Sequence, residues 1–477
     1  MVGLGTSAQT VQMEEQSDSI ELSIADVLDS ISSQKMFEAA FNRPIFNKNN
    51  KYKFAEDSVP SYSDNVYEAR LAKLDAASPC DLVFNAHVKS YINLYTVRKR
   101  ESVSRMLGMA QLYYPMFEEV MDKYDIPLEL KHLAVIESAL VPTARSRVGA
   151  TGLWQFMYPT GKMYGLKVTS YIDDRCDPYK ATVAAAEYLK NLYDMFGDWQ
   201  MVLAAYNAGP GTISKAIRRS GGKRTYWEIR PWLPRETQGY VPAFIAANYV
   251  MNYAAEHNIY PSLPHKNYFE VDTIVVRHPM TFEQLSKTIE ISTEQLCYFN
   301  PQYRKNVIPS GGNAICLPKD KIAYFLENEK EIYAALQEQL QSGEVSVVAE
   351  VKKIHVVRSG EMLSTVARKY GVTIADLRSW NSIGRAVKPG QRLTVYVREQ
   401  TASKNGGTQL AAKKNNDEKL VAENRNSSAQ FTSYRVRKGD TLSEIAQRNR
   451  MSYTTIMKDN DLRSTSLREG QVLRIRK

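Results

Sequence analysis

The sequence predicts a multidomain chain in which a mainly helical domain is followed by small modules of two strands and two helices. Its 477 residues are enough for several domains. From about Asn93 to Tyr260, apolar residues recur at helical spacing, as in the amphipathic runs 182–196 and 240–257. The C-terminal part of the chain then contains a repeated pattern of short strands and helices. These observations fix the order of the parts.

The first 90 residues are expected to form an N-terminal extension. It begins polar, becomes richer in Tyr and Phe from Phe37 on, and carries one helical pattern at residues 66–77. Residues 3–9 are typical of the end of a secretory signal, so we expect an exported protein of the cell envelope, periplasmic, with a trimmed signal. The sequence contains no apolar run of the length that spans a bilayer, so it predicts no transmembrane segment.

The charge of the chain is concentrated at its C-terminal end. The net charge is +10, and residues 351–477 carry 26 lysines and arginines against 11 aspartates and glutamates. A basic region can attract nucleic acid or another anionic surface. No zinc-finger spacing or other nucleic-acid motif accompanies this one, so nucleic acid is not an expected partner.

The cysteines and histidines do not predict a metal site. Cys80, Cys176, Cys297 and Cys316 lack metal-ligand spacing, and the six histidines do not cluster. We therefore expect neither a metal nor another cofactor. Two disulfides in an oxidising envelope and four buried free thiols both remain open from the sequence.

A glutamate on an apolar helix face is the most informative feature of the helical domain. Residues 126–140 are predicted to form one helix with Pro127 in its opening turn. Four apolar residues share the face of Glu137: Leu130, Leu133, Ala134 and Leu140. Burial disfavours the charged form and raises the pKa of a carboxyl group, which suits a general acid. A partly exposed glutamate at the edge of the stripe is the alternative.

Four further segments follow Glu137 and Ser138 in order. They are residues 149–157, 174–178, 204–211 and 236–242. Together, these motifs resemble the catalytic domain of the soluble-type lytic transglycosylases. The resemblance extends from about Asn93 to Ala255, roughly a third of the chain, and implies a lysozyme-like fold.

The family resemblance also implies a reaction on peptidoglycan glycan strands. A single glutamate protonates the bond between N-acetylmuramic acid and N-acetylglucosamine, and then takes a proton from the muramyl six-hydroxyl. This closes a 1,6-anhydro ring without water. Two alternatives are a hydrolytic muramidase of the same superfamily and an inactive wall-binding protein. The intact motifs argue against the inactive protein.

The motifs assign Glu137 as the catalytic acid and eight further residues to substrate binding. These eight are Ser138, Gly152, Leu153, Trp154, Gln155, Tyr206, Asn207 and Tyr240. Trp154 would offer a flat face to a sugar, with a core tryptophan as the alternative. Gln155 would bond an acetamido group. Ser138 would orient substrate or carboxylate, unless it bonds back to its own helix.

Most glycosidases use a second carboxylate, so the other acidic residues near the motifs need an interpretation. Asp173, Asp174, Asp177 and Asp198 occur in loops or at helix ends, where capping and local salt bridges are the expected roles. Glu236 is likewise expected to cap or to form a salt bridge. The family resemblance requires no second carboxylate.

The C-terminal part of the chain contains a repeated module. Residues 357–363 match residues 436–442, which lie 79 positions later, and Asn381 and Asn460 are separated by the same distance. Each unit reads strand, helix, helix, strand. This resembles the LysM domain, a βααβ module that binds glycans containing N-acetylglucosamine. A third, degenerate copy aligns Asn300 with Asn381 but lacks the Gly-Asp or Gly-Glu pair at its start. For that copy, glycan binding and a structural spacer remain open.

The expected boundaries are an extension over residues 1–90, the catalytic domain over 91–262 and a degenerate LysM-like unit over 268–318. A helical connector then covers 319–350, LysM modules cover 354–398 and 434–476, and a flexible linker covers 399–433. A monomer is expected.

Overall fold

The computed structural model of the chain describes residues 51–262, 270–341 and 348–400 apart from 382, 384 and 385. It also describes 431–436, 470–476 and six single positions between them. The expected signal remnant at residues 3–9 and the linker residues 401–430 lie outside the described residues. The chain divides into two compact units, Met1–Ala402 and Ser403–Lys477.

The described chain begins with a helical domain, which confirms the predicted class. Its α-helices are α1 (Asp64–Asp75), α2 (Ala86–Asn93), α3 (Arg100–Lys123), α4 (Leu133–Ser138), α5 (Tyr158–Met163), α6 (Pro178–Phe196), α7 (Trp199–Ala208), α8 (Pro210–Arg219), α9 (Tyr226–Ile229) and α10 (Arg235–Tyr253). A π-helical turn at Leu94–Arg98 and 3-10 turns at Leu128–His132, Arg230–Trp232 and Ala255–His257 complete it. Among the described residues, no helix is long and apolar enough to cross a membrane.

Helix α10 lies at the centre of this domain. Residues on all its sides are fully buried, including Val241, Phe244 and Ile245. A helix that is apolar all round belongs in a core, where burying each large apolar side chain contributes about 1.5–3 kcal/mol. The predicted amphipathic run 240–257 corresponds to α10, but this helix is buried on all its sides. It begins five residues earlier than predicted, at Arg235, and ends at Tyr253.

The described part of the expected N-terminal extension packs directly on the helical domain. The Asn258 side-chain nitrogen donates to the backbone oxygens of Ala55 (2.9 Å) and Ser58 (3.0 Å). Arg70 donates to the Tyr249 hydroxyl at 2.8 Å. Residues 51–76 are thus tied to the C-terminal end of the domain, close to helix α10.

The degenerate copy forms a strand-and-helix unit that shares its hydrophobic core with the helical domain. Strand β1 (Val271–Val276) pairs antiparallel with β4 (Asn313–Pro318), and β2 (Met280–Thr281) pairs with β3 (Val307–Ile308). Helices α11 (Phe282–Ile289) and α12 (Thr293–Phe299) lie between β2 and β3, followed by a 3-10 turn at Arg304–Asn306.

The expected connecting helix over residues 319–341 is two helices, so the prediction of one helix was wrong. Helix α13 (Lys319–Glu327) and helix α14 (Glu329–Gln341) are separated at Asn328, whose φ of −108° and ψ of 16° leave the helical region. Phe325 and Leu336 are buried in the core of the LysM-like unit. The helices are therefore part of that unit, which we call residues 270–341.

The first predicted LysM module has the expected order of strand, helix, helix and strand. It consists of β5 (Val348–Val356), α15 (Leu363–Tyr370), α16 (Ile374–Asn381) and β6 (Arg392–Gln400). It packs on the helical domain, since the Tyr158 hydroxyl donates to the Trp380 backbone oxygen at 2.9 Å. In the second module, β7 (Phe431–Arg435) pairs with β8 (Val472–Arg476), while most of the sequence between them lies outside the described residues.

One asparagine occupies the same structural position in all three copies. Its side-chain nitrogen donates to a carbonyl of its own helix and to a carbonyl on the last strand, while its oxygen accepts the N–H of that same strand residue. The pairs are Asn300 with Cys316, Asn381 with Thr394, and Asn460 with Arg474. These shared hydrogen bonds confirm the alignment of the three repeats.

All four cysteines are free thiols, of which Cys80 and Cys176 are buried as the second alternative expected, whereas Cys297 and Cys316 are half-buried. Burial raises the pKa of Cys80 and of Cys316 to about 12, so both thiols stay protonated.

Candidate active site

The helix that carries Glu137 is shorter than predicted. Residues 128–132 form a 3-10 turn, and α4 covers only Leu133–Ser138. It ends there because Ala139 and Leu140 adopt left-handed φ values of 49° and 60°. The predicted apolar stripe is buried, but Leu140 lies beyond the helix and not on its face. Glu137 is therefore held in the last turn of α4, next to strained backbone.

Glu137 is half-buried, so its side chain keeps some exposure to solvent, as the alternative from the sequence allowed, while the protein packed around its carboxyl group favours the neutral form. Burial raises its pKa to about 7, and the negative charge of Glu236 adds to this rise. The Tyr240 hydroxyl donates a hydrogen bond to Glu137 Oε1, which opposes the rise. Helix α10 thus supplies both Glu236, which raises the pKa of Glu137, and Tyr240, which lowers it. A carboxyl group with a pKa near neutrality can both give and take a proton.

Tyr206 connects helix α7 to the chain segment that contains Trp154. Its hydroxyl donates to the Trp154 backbone oxygen at 2.7 Å. Tyr206 and Tyr240 are both close enough to Glu137 for the carboxylate charge to raise their pKa, although burial is the larger cause. The structure therefore brings Glu137, Tyr206 and Tyr240 together from three helices.

Trp154 does not present a face to a sugar, which corrects the expected stacking role. Its side chain is fully buried, its ring nitrogen donates to Thr182 Oγ1 at 2.9 Å, and its ring lies 5.0 Å from that of Phe117. Leu153 is buried as well. Trp154 is therefore a core residue, which was the alternative from the sequence. Trp154 and Leu153 form the buried side of the turn that lies beside Glu137.

Ser138 is likewise turned away from solvent, so direct contact with substrate is the wrong role for it in this structure. Its hydroxyl donates to the backbone oxygens of Ala134 (3.0 Å) and Leu153 (2.8 Å). The first bond is the back-bond to its own helix that the sequence left open. The second bond ties the residue next to Glu137 to the turn at residues 151–156.

That turn depends on Gly152 and Gln155. Gly152 has a φ of +90°, and a Cβ atom there would lie 1.8 Å from the backbone oxygen of Arg175. Gln155 has a φ of 46°, and its side-chain nitrogen donates to the backbone oxygens of Ala144 and Gly152. The Gln155 amide nitrogen therefore stabilises the turn, where the sequence suggested a bond to an acetamido group.

Asn207 and Glu236 form a polar edge beside the acid. Thr237 donates to Asn207 Oδ1 at 2.8 Å, and Asn207 Nδ2 donates to the exposed Glu236 at 3.5 Å. The sequence did not indicate that Glu236 lies near Glu137. The signal was available, because Glu236 and Tyr240 are four residues apart on one helix and so share a face.

The other candidate carboxylates have structural partners, as the sequence predicted. Asp173 pairs with Arg175 at 2.8 Å and Asp174 with Lys180 at 2.7 Å. Two aspartates cap helices: Asp177 at α6 and Asp198 at α7. In the part of the chain that the structure describes, no three His, Cys, Asp or Glu side chains are grouped to hold a metal ion.

Two substitutions should move the pH dependence of activity in opposite directions. Tyr240→Phe removes a bond that lowers the pKa of Glu137, so the alkaline fall of kcat/KM should move to higher pH. Glu236→Gln removes a charge that raises this pKa, so the fall should move to lower pH. Profiles of kcat/KM against pH measure both shifts. Shifts in the same direction would contradict Glu137 as the titrating acid.

Comparison with known protein families agrees with this arrangement. The Transglycosylase SLT domain matches residues 115–229, the LysM-like domain of lytic transglycosylase MltD matches 270–334, and the LysM domain matches 355–395 and 434–476. Among solved structures, the soluble lytic transglycosylase Slt70 of Escherichia coli is similar over a region that covers 33% of this chain and 27% of the Slt70 chain. The two are 28% identical there, and the TM-score is 0.26.

Two curated relatives come from Escherichia coli K12. The soluble lytic murein transglycosylase is 32% identical over 141 residues, which cover 28% of this chain and 22% of the relative. The membrane-bound lytic murein transglycosylase D is 30% identical over 388 residues, which cover 78% of this chain and 75% of the relative. The resemblance drawn from the motifs is thereby confirmed, and the chain belongs to the family of lytic murein transglycosylases that includes transglycosylase D.

Proposed function

We propose that this protein cleaves the β-1,4 bond between N-acetylmuramic acid and N-acetylglucosamine in peptidoglycan and leaves a 1,6-anhydro-muramyl end. Glu137 is the catalytic residue, and the reaction takes place in the cell envelope on glycan strands. One observation carries the proposal. In a lytic transglycosylase domain, the half-buried Glu137 carboxyl group has a pKa raised to about 7 by desolvation and accepts a hydrogen bond from Tyr240.

In the first step, protonated Glu137 gives its proton to the oxygen of the glycosidic bond. The bond from this oxygen to the muramyl anomeric carbon breaks, and the oxygen leaves as a neutral hydroxyl on N-acetylglucosamine. Proton donation is needed because an alkoxide is a poor leaving group. Positive charge at the anomeric carbon is then stabilised by the acetamido group of the substrate.

In the second step, the ionised Glu137 takes the proton of the muramyl six-hydroxyl. The freed oxygen bonds to the anomeric carbon and closes the anhydro ring, so Glu137 is protonated again and no water enters the product. A pKa of about 7 suits both steps, because neither protonation state is strongly favoured at neutral pH. Tyr240 stabilises the carboxylate formed between them.

An inverting hydrolysis would need a second carboxylate to activate water. Asp173, Asp174, Asp177 and Asp198 are occupied by ion pairs or helix caps. Glu236 is exposed at the edge of the site and is the carboxylate that remains for an inverting hydrolysis.

Mass spectrometry of the muropeptides released from purified sacculi tests the proposed product. We expect fragments that end in anhydro-muramic acid, each lighter by one water molecule than its hydrolysed counterpart and not reducible by borohydride. Fragments with reducing muramic acid ends would instead establish a muramidase, and loss of activity in Glu236→Gln would then identify an inverting reaction.

We further propose that the LysM modules hold the enzyme on the glycan and that the chain acts as a monomer. A second binding site raises the effective concentration of the enzyme at the wall without changing the chemistry. Residues 351–477 also carry a net charge of +15, whereas the rest of the chain carries −5, and the effect of this positive charge on binding falls with added salt.

Removal of the unit Ser403–Lys477 should therefore weaken binding to insoluble sacculi but leave kcat on soluble glycan strands unchanged. Cosedimentation with sacculi and turnover of soluble strands measure the two quantities. A truncated protein that sediments as well as the full chain would show that the second module has another ligand.

A further inference from the structure

We propose that the LysM-like unit, residues 270–341, positions the wall of the active site and is not a third glycan-binding module. The inference rests on the proposed function, because the wall concerned is the turn at residues 151–156 beside Glu137. The contacts run from residues 302–304 of the unit to residues 171–175 of the catalytic domain, and from there to the turn.

The first contact is a short antiparallel pairing between the unit and the catalytic domain. Residues 302–304 lie beside residues 171–173, with a bridge between Ile172 and Tyr303. The bonds are Arg304 N to Tyr171 O (2.7 Å), Asp173 N to Gln302 O (2.9 Å) and Arg304 Nη1 to Thr169 O (3.1 Å). Backbone bonds of this kind fix both distance and direction, so the unit determines where Asp173 lies.

Asp173 in turn positions Arg175. The Asp173 carboxylate accepts Arg175 Nε at 2.9 Å and Nη2 at 2.8 Å, and both side chains are buried. A planar guanidinium bound at two points has one orientation. Its remaining nitrogen donates to the backbone oxygens of Gly149 (3.1 Å) and Phe156 (3.3 Å). Arg175 is therefore a positioning residue that holds both sides of the turn.

The turn then contacts the residues around the acid. Its Leu153 oxygen accepts the Ser138 hydroxyl, and its Trp154 oxygen accepts the Tyr206 hydroxyl. Ser138 follows Glu137 directly in the chain. A displacement of residues 171–175 would therefore reach the carboxyl group through bonds whose lengths are all below 3.4 Å.

The LysM-like unit covers the segment that leads into its own first helix, which corresponds to residues 358–362 of the first module. Residues 277–281 pair through Met280 and Thr281 with strand β3, and the backbone nitrogen of Arg277 donates to the Tyr333 hydroxyl of helix α14 at 3.1 Å. In the first module, Met362 of the corresponding segment is 66% exposed. In the LysM-like unit this segment is therefore paired with other parts of the unit, whereas Met362 in the first module is open to solvent.

Two substitutions at Arg304 in the full-length protein isolate the backbone contact. Arg304→Ala removes the guanidinium, with its bond to Thr169 and its ion pair to Asp376, and keeps the N–H that binds Tyr171. Arg304→Pro removes the guanidinium and the N–H, so the comparison of the two variants isolates the backbone bond. Proline suits this position, because Arg304 begins a 3-10 turn and Tyr303 before it is extended, with φ −84° and ψ 116°. Lys287→Ala, at an exposed ion pair on α11 of the same unit, is the matched control.

We expect R304P to lower kcat on soluble glycan strands about tenfold or more relative to R304A, since small misplacements at an active site have effects of this order. KM should change little, and amide hydrogen exchange at residues 149–156 should become faster in R304P. K287A should match the wild type. If R304P does not fold, R304A against the wild type makes the comparison for the guanidinium contacts with Thr169 and Asp376 taken together.

Equal kcat and equal exchange in R304P and R304A, or in R304A and the wild type where the proline variant does not fold, would overturn the proposal. A raised KM with unchanged kcat would also overturn it, because that result is expected on losing a binding module. The two proposals fail differently. A wild-type protein that cleaves no glycan would refute the proposed function, while the exchange measurement would still decide whether the unit positions the turn.

Discussion

Replacing Glu137 with Gln is expected to lower kcat on peptidoglycan by about 10²–10⁴-fold, the usual contribution of a general acid. Glutamine keeps the size of the side chain and can still accept the hydrogen bond from Tyr240, but it has no acidic proton to donate. Turnover of purified sacculi measures the loss. Glu119→Gln, at an exposed glutamate on α3, is the matched control and should behave like the wild type.

The same variant should be more stable than the wild type at alkaline pH, which separates lost chemistry from lost folding. The folded-state pKa of Glu137, about 7, lies above its ordinary value of 4.5. The folded protein therefore favours the neutral acid, and the wild type loses stability as pH rises through this interval. Glu137→Gln avoids a cost of at most about 3 kcal/mol. Denaturant unfolding should show the difference at about pH 8 and almost none at about pH 4. An E137Q protein less stable than the wild type at both would contradict this account of the site.

Gly152→Ala is expected to destabilise the protein by about 3 kcal/mol or more and to abolish activity. Its Cβ atom would lie 1.8 Å from the Arg175 backbone oxygen, and the φ of +90° is unfavourable for alanine. The Arg175 backbone has little freedom to retreat, because the backbone nitrogens of Asp173 and Asp174 donate to Gln302 O (2.9 Å) and Lys167 O (2.8 Å).

Gly149→Ala separates the two causes. Gly149 has a similar φ of +93° but open space around its Cβ position. Urea unfolding of both variants should place Gly152→Ala well below Gly149→Ala in free energy of unfolding. Equal values would mean that the close approach to Arg175 contributes nothing beyond backbone strain.

The acid and its family could be predicted because they depend on residue type and order. A glutamate on an apolar face and five motifs in sequence are visible in the chain itself. The direction in which a motif side chain points could not be predicted in the same way. Trp154 points into the core from a turn whose backbone is left-handed at Gly152 and Gln155, and the Ser138 hydroxyl bonds to that turn from helix α4. Sequence patterns do not encode that geometry for a residue such as glutamine.

The repeats show the same division. Spacing was sufficient to align three modules, and the shared asparagine hydrogen bonds confirm that alignment. It could not reveal that the degenerate copy shares a core with the catalytic domain. The pairing of residues 302–304 with 171–173 uses backbone atoms, which leave no mark in residue type. The break at Asn328 was missed because apolar periodicity continues across it.

Digestion of purified sacculi in water labelled with heavy oxygen tests the central claim most directly. The full-length protein should release muropeptides whose muramyl ends contain no label, because the six-hydroxyl of the sugar itself closes the ring. Glu137→Gln should release almost none. Label at the anomeric carbon of the muramyl ends formed by the wild type would contradict the account, because it would show that water attacks this carbon.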